Sequence, residues 1–536
     1  MSIPSSSPRR FLVFHPLLVA IYPVAALYLQ NFNNLTFAAT LGSFALALFV
    51  AALFWRLAAY WMKDPLKSGL VVSVFFLLFF SFGHFMAAIA NILTLGFGVD
   101  PFVNVLLQTR LAQGILLVVW LLLFLLIVIL TQKARSNFRL VTQFMNAVSI
   151  ALTLIAVVRA VSSIVANRQL KSDFQTAQAF QFDLPQLAEN AASPSTRPDI
   201  YYIILDGYAR SDVMQNIYRY DNTPFLDFLR QNGFYVADAA HSNYGMTYQS
   251  LPSSLNFEYI NFLTDEMGRQ TDNPLPLLAM LEDNRLSRFL HTQGYQTVLF
   301  SSGFPATDLI QADQRIELPV SINAFQNELI NKTPLRLALM DTQYNIHRGR
   351  ILYQFAHLTE AANASQPRLI FAHILAPHPP FVFKEDGSPL PADREFVLED
   401  GSHFTDWLGR EVYQQDYRQQ AIFITQETQA LVEQLLALDP QPIIILQSDH
   451  GPGSMMDWNS AANTNMPERL SILNAYYFPT QDYTRLYPAI TPVNTFRVIL
   501  DQYFGAALGL LPDYSYWAPI DRLYDWSDVT ETLKAP

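Results

Sequence analysis

The 536-residue chain contains no cysteine. That removes disulfides, thiolate metal sites and cysteine nucleophiles together. Any metal held here depends on carboxylate, imidazole and hydroxyl ligands. Charge is also scarce, at 15% of residues against 51% hydrophobic. Acidic residues are almost missing from the first 165 positions, which hold ten Lys/Arg and two Asp/Glu. The remainder holds 24 basic and 43 acidic residues. A portion so acidic lacks the basic footprint that phosphate backbones require, which excludes nucleic acid as a partner. There is no internal repeat and no low-complexity tract.

Five stretches lack Asp, Glu, Lys and Arg over lengths near the roughly 20 residues that span a bilayer. They are 11–30, 34–55, 68–99, 111–132 and 140–158. The third is overlong, so its helix is placed near 69–92, with a loop up to Arg110. The first is too long for a secretory leader and is followed by further spans. Basic residues mark alternate loops: Arg9 and Arg10, then Arg56, Lys63 and Lys67, then Lys133, Arg135 and Arg139. The positive-inside bias makes these loops cytoplasmic, and five spans then put everything after about residue 166 outside. His15 and His84 fall within spans, where isolated histidines face the bundle or the interface. The expected organisation is a five-helix membrane domain over 1–165 and a juxtamembrane helix and linker over 166–197. An extracytoplasmic domain follows over 198–536.

From residue 198 onward, apolar strands alternate with helices. Strands are expected at Asp199–Leu205, Phe234–Ala237, Gln296–Phe300, Arg368–Leu375, Pro442–Ser448 and Ser471–Phe478. Helices are expected at Phe225–Gln231, Arg285–Thr292, Tyr413–Leu438 and Asn494–Phe504. Such alternation predicts an α/β domain with a mostly parallel sheet covered by helices.

Two strand ends carry chemistry. Asp206-Gly207 closes the first apolar strand, and Asp449-His450-Gly451 closes another. Ligands of open α/β sheets bind beyond the carboxyl ends of the strands. Carboxylate and imidazole delivered there together suit a divalent metal. Between them lies a segment rich in small hydroxyls, Ser242 to Ser254. It reads either as a helix start or as the source of a hydroxyl nucleophile activated beside a metal. A further strand ends in Leu375-Ala376-Pro377-His378-Pro379-Pro380, which alone would be a proline-stiffened loop.

Together these elements resemble the sulfatase-like branch of the alkaline phosphatase superfamily. The whole chain, five spans plus an outer domain, resembles lipoteichoic acid synthases and lipid A phosphoethanolamine transferases. The resemblance implies an alkaline-phosphatase-like α/β fold and one divalent metal held by Asp206, Thr247, Asp449 and His450. Manganese, zinc or magnesium suits this set, with calcium the weaker fit. Thr247-Tyr248-Gln249-Ser250-Leu251-Pro252 fits the family's Thr-x-x-Ser-x-Pro nucleophile motif, which selects Thr247 over Ser250 or Ser253. His378, in Pro377-His378-Pro379-Pro380-Phe381, matches the phosphate-binding histidine. The transferases carry another His after the Asp-His pair. Here that stretch offers Asn465 and Arg469 as substrate-binding residues instead.

The implied activity is transfer of a phosphoglycerol- or phosphoethanolamine-type head group through a phospho-threonine. Its substrates would be a membrane phospholipid and an envelope glycan or lipid, at a bacterial-type inner membrane. The alternatives are a phosphodiesterase or phosphatase, a sulfatase-like hydrolase of an envelope substrate, and a non-catalytic scaffold. Sulfatases need Cys/Ser-x-Pro-x-Arg, and here Ser254 stands where that Arg is required.

Overall fold

The structure is a computed structural model that describes residues 12–31, 37–92, 109–176, 183–186, 197–362, 365–392 and 396–533. The loop expected between residue 92 and Arg110 lies largely outside the described residues, as does much of the 166–197 linker. The chain forms two compact units. One comprises Met1–Arg168 with Asn323–Met340, the other Gln169–Ile322, Asp341–Ala392 and Phe396–Pro536.

The first unit is a bundle of apolar helices: α1 (His15–Asn31), α2 (Leu41–Met62), α3 (Pro65–Asn91), α4 (Arg110–Lys133) and α5 (Arg139–Thr176). Helices α2 to α5 are long and apolar enough to cross a membrane, while α1 is a shorter apolar helix. Of the five expected spans, then, four meet the length of a crossing outright. Helix α4 is apolar around nearly its whole circumference, as a membrane-spanning helix is, so leucines such as Leu121, Leu122, Leu125 and Leu126 stay exposed on it. Helix ends are set by capping. Pro65 opens α3 in the first turn, where its missing N–H costs nothing, and the Asp64 carboxylate accepts from Leu66 and Lys67 N–H. The Lys67 ammonium donates to Gln132 and Ala134 carbonyls at 3.0 and 2.8 Å, a cation at the carbonyl end of α4. Buried His15 pairs with the Ser73 hydroxyl at 2.6 Å, facing the bundle as expected.

The second unit is an α/β domain. Its seven-stranded sheet contains β1 (Ile200–Leu205), β2 (Tyr235–Val236), β3 (Gln296–Phe300), β4 (Gln314–Ile316), β5 (Arg368–Ile374), β6 (Ile443–Gln447) and β7 (Asn474–Tyr477). The order is β2-β7-β6-β1-β5-β3-β4. The run from β6 to β4 is parallel, and β7 and β2 add an antiparallel edge. β1 sits at the centre with every residue buried, which explains its unbroken Ile-Tyr-Tyr-Ile-Ile-Leu run. One core joins Tyr202, Phe371 and Ile445 of the sheet to Leu251 and Phe496 of the covering helices. The Tyr202 and Phe496 rings meet edge to face at 4.9 Å.

Register positions the chemistry. Leu205 pairs with Ile374, and Ile204 pairs with both His373 and Gln447. Asp206 and Asp449 therefore lie two residues beyond the row formed by His373, Ile204 and Gln447, and all three side chains sit at the carboxyl edge of three adjacent strands.

Candidate active site

Asp206 continues the β1–β5 ladder, its N–H donating to Ile374 O at 3.0 Å. The chain then turns through Gly207 at φ +74°, a conformation glycine adopts without steric cost. The His378 N–H returns to Asp206 O at 3.0 Å, which fastens the proline-stiffened loop over the end of β1. The turn after β6 is held more tightly still. The Ser242 and Ser250 hydroxyls both donate to Asp449 O, at 2.5 and 2.7 Å, and Ser448 donates to His450 O at 2.6 Å. Gly451 N–H meets Arg469 O at 2.6 Å, and a Cβ at Gly451 would lie 2.1 Å from Glu468 O. Only glycine permits that approach.

His450 is the hub. Its Nδ1 lies 2.9 Å from Gly451 O, so Nδ1 carries the proton and Nε2 presents a lone pair. Around Nε2 stand Thr247 Oγ1 at 3.1 Å, Asp449 Oδ2 at 3.4 Å and Asp206 Oδ1 at 3.6 Å. The four residues implied by the motifs thus converge on one nitrogen, and all four are buried. Thr247 is the first residue of the helix Thr247–Asn256, where first-turn N–H groups and the helix dipole favour an anionic oxygen. Ser250, one turn on, is occupied in holding Asp449.

Two residues absent from the sequence reading join the cluster. His373, on β5, places Nε2 3.2 Å from Asp206 Oδ2, with Nδ1 3.2 Å from Thr307 Oγ1. Asp206, His373 and Asp449 each offer a ligand atom within 4.8 Å of the others. Asp400 is the second, 2% exposed and paired with Arg469 at 2.5 Å. It also accepts from Tyr413 OH at 2.6 Å and lies 3.8 Å from His378 Nε2.

Arg469 is fully buried. It donates to Gly245 O, Gly451 O and Asp400, and its remaining nitrogen lies 3.3 Å from His450 Nε2. Asn465 is engaged elsewhere: its side chain accepts from Glu468 N–H and caps a short helix, Met466–Leu470. His378 is the more open member of the group, with its ring 6.2 Å from that of His450.

Electrostatics follow from burial and crowding. Burial opposes ionisation of Asp206, but the imidazoles of His378, His373 and His450 outweigh it and hold the carboxyl below the usual range. Burial pushes His450 below its ordinary value, and the Arg469 guanidinium adds to that. Burial would also lower His373, but the Asp206 carboxylate beside it prevails and raises it.

The donor set fits a divalent cation. Both Asp449 oxygens, Asp206 Oδ1 and His373 Nε2 are buried without a hydrogen bond among the described residues. Buried carboxylate oxygens are left so only at a large cost unless a cation completes them. Two carboxylates, imidazole nitrogen and a hydroxyl form a mixed oxygen and nitrogen set that suits zinc, manganese or magnesium alike.

The Sulfatase family profile matches residues 198–496. No curated protein matches the chain. Among solved structures, the C-terminal periplasmic domain of EcEptC from Escherichia coli is 15% identical, with a TM-score of 0.42, covering 65% of this chain and 97% of that one. The integral membrane lipooligosaccharide phosphoethanolamine transferase A (EptA) from Neisseria meningitidis is 12% identical, with a TM-score of 0.39, covering 91% and 94%. The phosphonate monoester hydrolase of Agrobacterium radiobacter is 14% identical, with a TM-score of 0.37, covering 60% and 80%.

Proposed function

The chain belongs to the sulfatase family, and we propose that it is a membrane-anchored, metal-dependent phosphotransferase. It moves a phosphoglycerol- or phosphoethanolamine-type head group from a phospholipid to an envelope glycan or lipid, through a covalent phospho-threonine at Thr247. The observation that carries this reading is the convergence of Thr247 Oγ1, Asp206 and Asp449 on His450 Nε2, at 3.1, 3.6 and 3.4 Å.

Asp206, Asp449 and His450, with Thr247 and His373 beside them, are the residues that would hold the metal. A divalent cation bound there would favour the ionised Thr247 hydroxyl and neutralise charge on the phosphate oxygens. Thr247 Oγ attacks phosphorus, and the bond from phosphorus to the lipid's leaving oxygen breaks. His378 gives that oxygen a proton. An acceptor hydroxyl then attacks the phosphorus from the opposite side, returns a proton to His378, and releases Thr247 as the alkoxide. The N-terminus of the helix at Thr247 favours the anionic oxygen in both steps. Arg469, locked by Asp400, holds its positive charge against His450 and the incoming phosphate without reorganising. The basic loops of the helical half support a cytoplasmic N-terminus and an outward catalytic domain, so a phospholipid head group is the donor within reach.

Head-group release from labelled phospholipid vesicles by the reconstituted full-length protein tests the proposal. Wild type should release it and Thr247→Ala should lose several powers of ten in rate. Near-normal turnover by Thr247→Ala would remove the proposed mechanism.

A further inference from the structure

The helix Ala324–Asn331 lies in sequence between β4 and β5, yet it packs within the helical unit. Phe325 is buried in one cluster with Val24, Leu27, Phe76 and Phe80, and Leu329 packs against the same cluster. Phe325, Leu329 and Lys332 follow i, i+4, i+7 spacing and share a face. The helix starts on a full capping box, with Asn323 and Gln326 satisfying each other's backbone N–H. Its far end is fastened to α3. The Gly83 N–H donates to Lys332 O at 3.1 Å, and a Cβ at Gly83 would lie 2.6 Å from Asn331 O. Helix and bundle thus meet backbone to backbone at a glycine.

This arrangement leaves a partly open cavity of about 230 Å³ between α1, α3 and the inserted segment. Ala26, Phe76 and Phe80 contribute to an apolar wall, and Gln30, His84 and Lys332 supply polar groups. It is smaller than the roughly 300–1,000 Å³ of a small-molecule pocket. An apolar cavity among membrane-crossing helices takes a segment of acyl chain in preference to water. The Lys332 ammonium sits 2.6 Å from the Glu328 carboxylate, with about a third of each side chain exposed. An anionic head group would gain from Lys332 but face Glu328. A zwitterionic head group complements both, its phosphate against Lys332 and its primary ammonium against Glu328.

The geometry points to a resident phospholipid site formed by α1, α3 and the inserted helix, selective for a zwitterionic head group with a primary ammonium. It shares no residue with the Asp206 cluster. It rests on the membrane reading of α1 to α5 and not on the transfer chemistry.

The test uses full-length Thr247→Ala protein, in which head-group turnover is expected to be slower by several powers of ten. It is incubated with vesicles of equal parts phosphatidylethanolamine, phosphatidylcholine and phosphatidylglycerol, and retained lipids are counted by native mass spectrometry. One phosphatidylethanolamine should be retained per chain, favoured by about tenfold over the other two. Ala26→Phe, which fills the cavity, should abolish retention. Glu328→Lys, a partly exposed change, should turn the preference to phosphatidylglycerol. Equal retention of the three lipids, no retained lipid, or a preference unmoved by Glu328→Lys would overturn the site. Retained phosphatidylethanolamine in a wild type that releases no head group would sink the transferase reading and leave this site standing.

Discussion

The Asp400–Arg469 pair gives the sharpest energetic test of the site. Both side chains are buried, the charged atoms are 2.5 Å apart, and the guanidinium also reaches towards His450 Nε2 at 3.3 Å. Asp400→Asn removes the counter-ion and turns an amide N–H₂ towards a guanidinium N–H. Breaking a buried pair from one side costs about 3–5 kcal/mol, because the remaining charge stays desolvated. At roughly 2 °C per kcal/mol for a domain of this size, the melting temperature should fall by about 6–10 °C. Arg469→Met alone should cost a similar amount. The double variant should recover a large part of the loss, a coupling of more than about 1 kcal/mol. The pH dependence has a fixed sign. Burial would raise the Asp400 carboxyl, but Arg469 outweighs it and holds the group below its ordinary value. The stabilisation is therefore present above the unfolded-state value near about 3.9 and is lost as pH falls through the lower folded-state value. Thermal unfolding of the full-length variants in detergent at pH 7 and at pH below about 4 measures all of this. A loss under about 1 kcal/mol for Asp400→Asn at pH 7, or strict additivity of the pair, would refute a buried, mutually compensating ion pair.

Other perturbations discriminate further. Gly451→Ala would press a methyl group to 2.1 Å from Glu468 O, so it should cost about 1–3 kcal/mol or more and displace the Asp449-His450 turn. Activity should fall further than stability, read by turnover beside melting temperature. Asp449→Asn and His450→Ala should each lose bound metal in elemental analysis while the protein stays folded; full occupancy in both would place the metal elsewhere. A topology reporter fused after residue 170 should be active only outside the cytoplasm, and activity inside would remove the lipid-donor argument.

Much of the α/β frame was legible because each buried strand is an apolar run. Arg285–Thr292 and Gln296–Phe300 occur as expected, and β1 and β6 lie within one residue or so of their expected bounds. Asp206 and Asp449-His450 could be found because a charged residue directly after such a run, or two small steps beyond it as at Gln447-Ser448-Asp449, marks a sheet edge. His373 gave no such signal. It lies inside the apolar run Leu369 to Ile374, and only the register of β5 against β1 brings it level with the end of the neighbouring strand. Asp400 sits in Glu399-Asp400-Gly401, which reads as an ordinary turn until Arg469 folds onto it. The segment Asn323–Met340 was hidden for a different reason. Its polarity is mixed, and nothing in Phe325 or Leu329 distinguishes packing on a sheet from packing on membrane helices. The helix Leu335–His357, similarly mixed, also went unread.

The central claim is that Thr247 carries the transferred group. Full-length protein incubated with phospholipid vesicles, digested and analysed by mass spectrometry tests it directly. The account predicts a phospho-head-group adduct on the peptide containing Thr247, absent in Thr247→Ala and in Asp449→Asn. A protein that turns over phospholipid while that peptide remains unmodified, or that carries the adduct on Ser250 or Ser253, would contradict it.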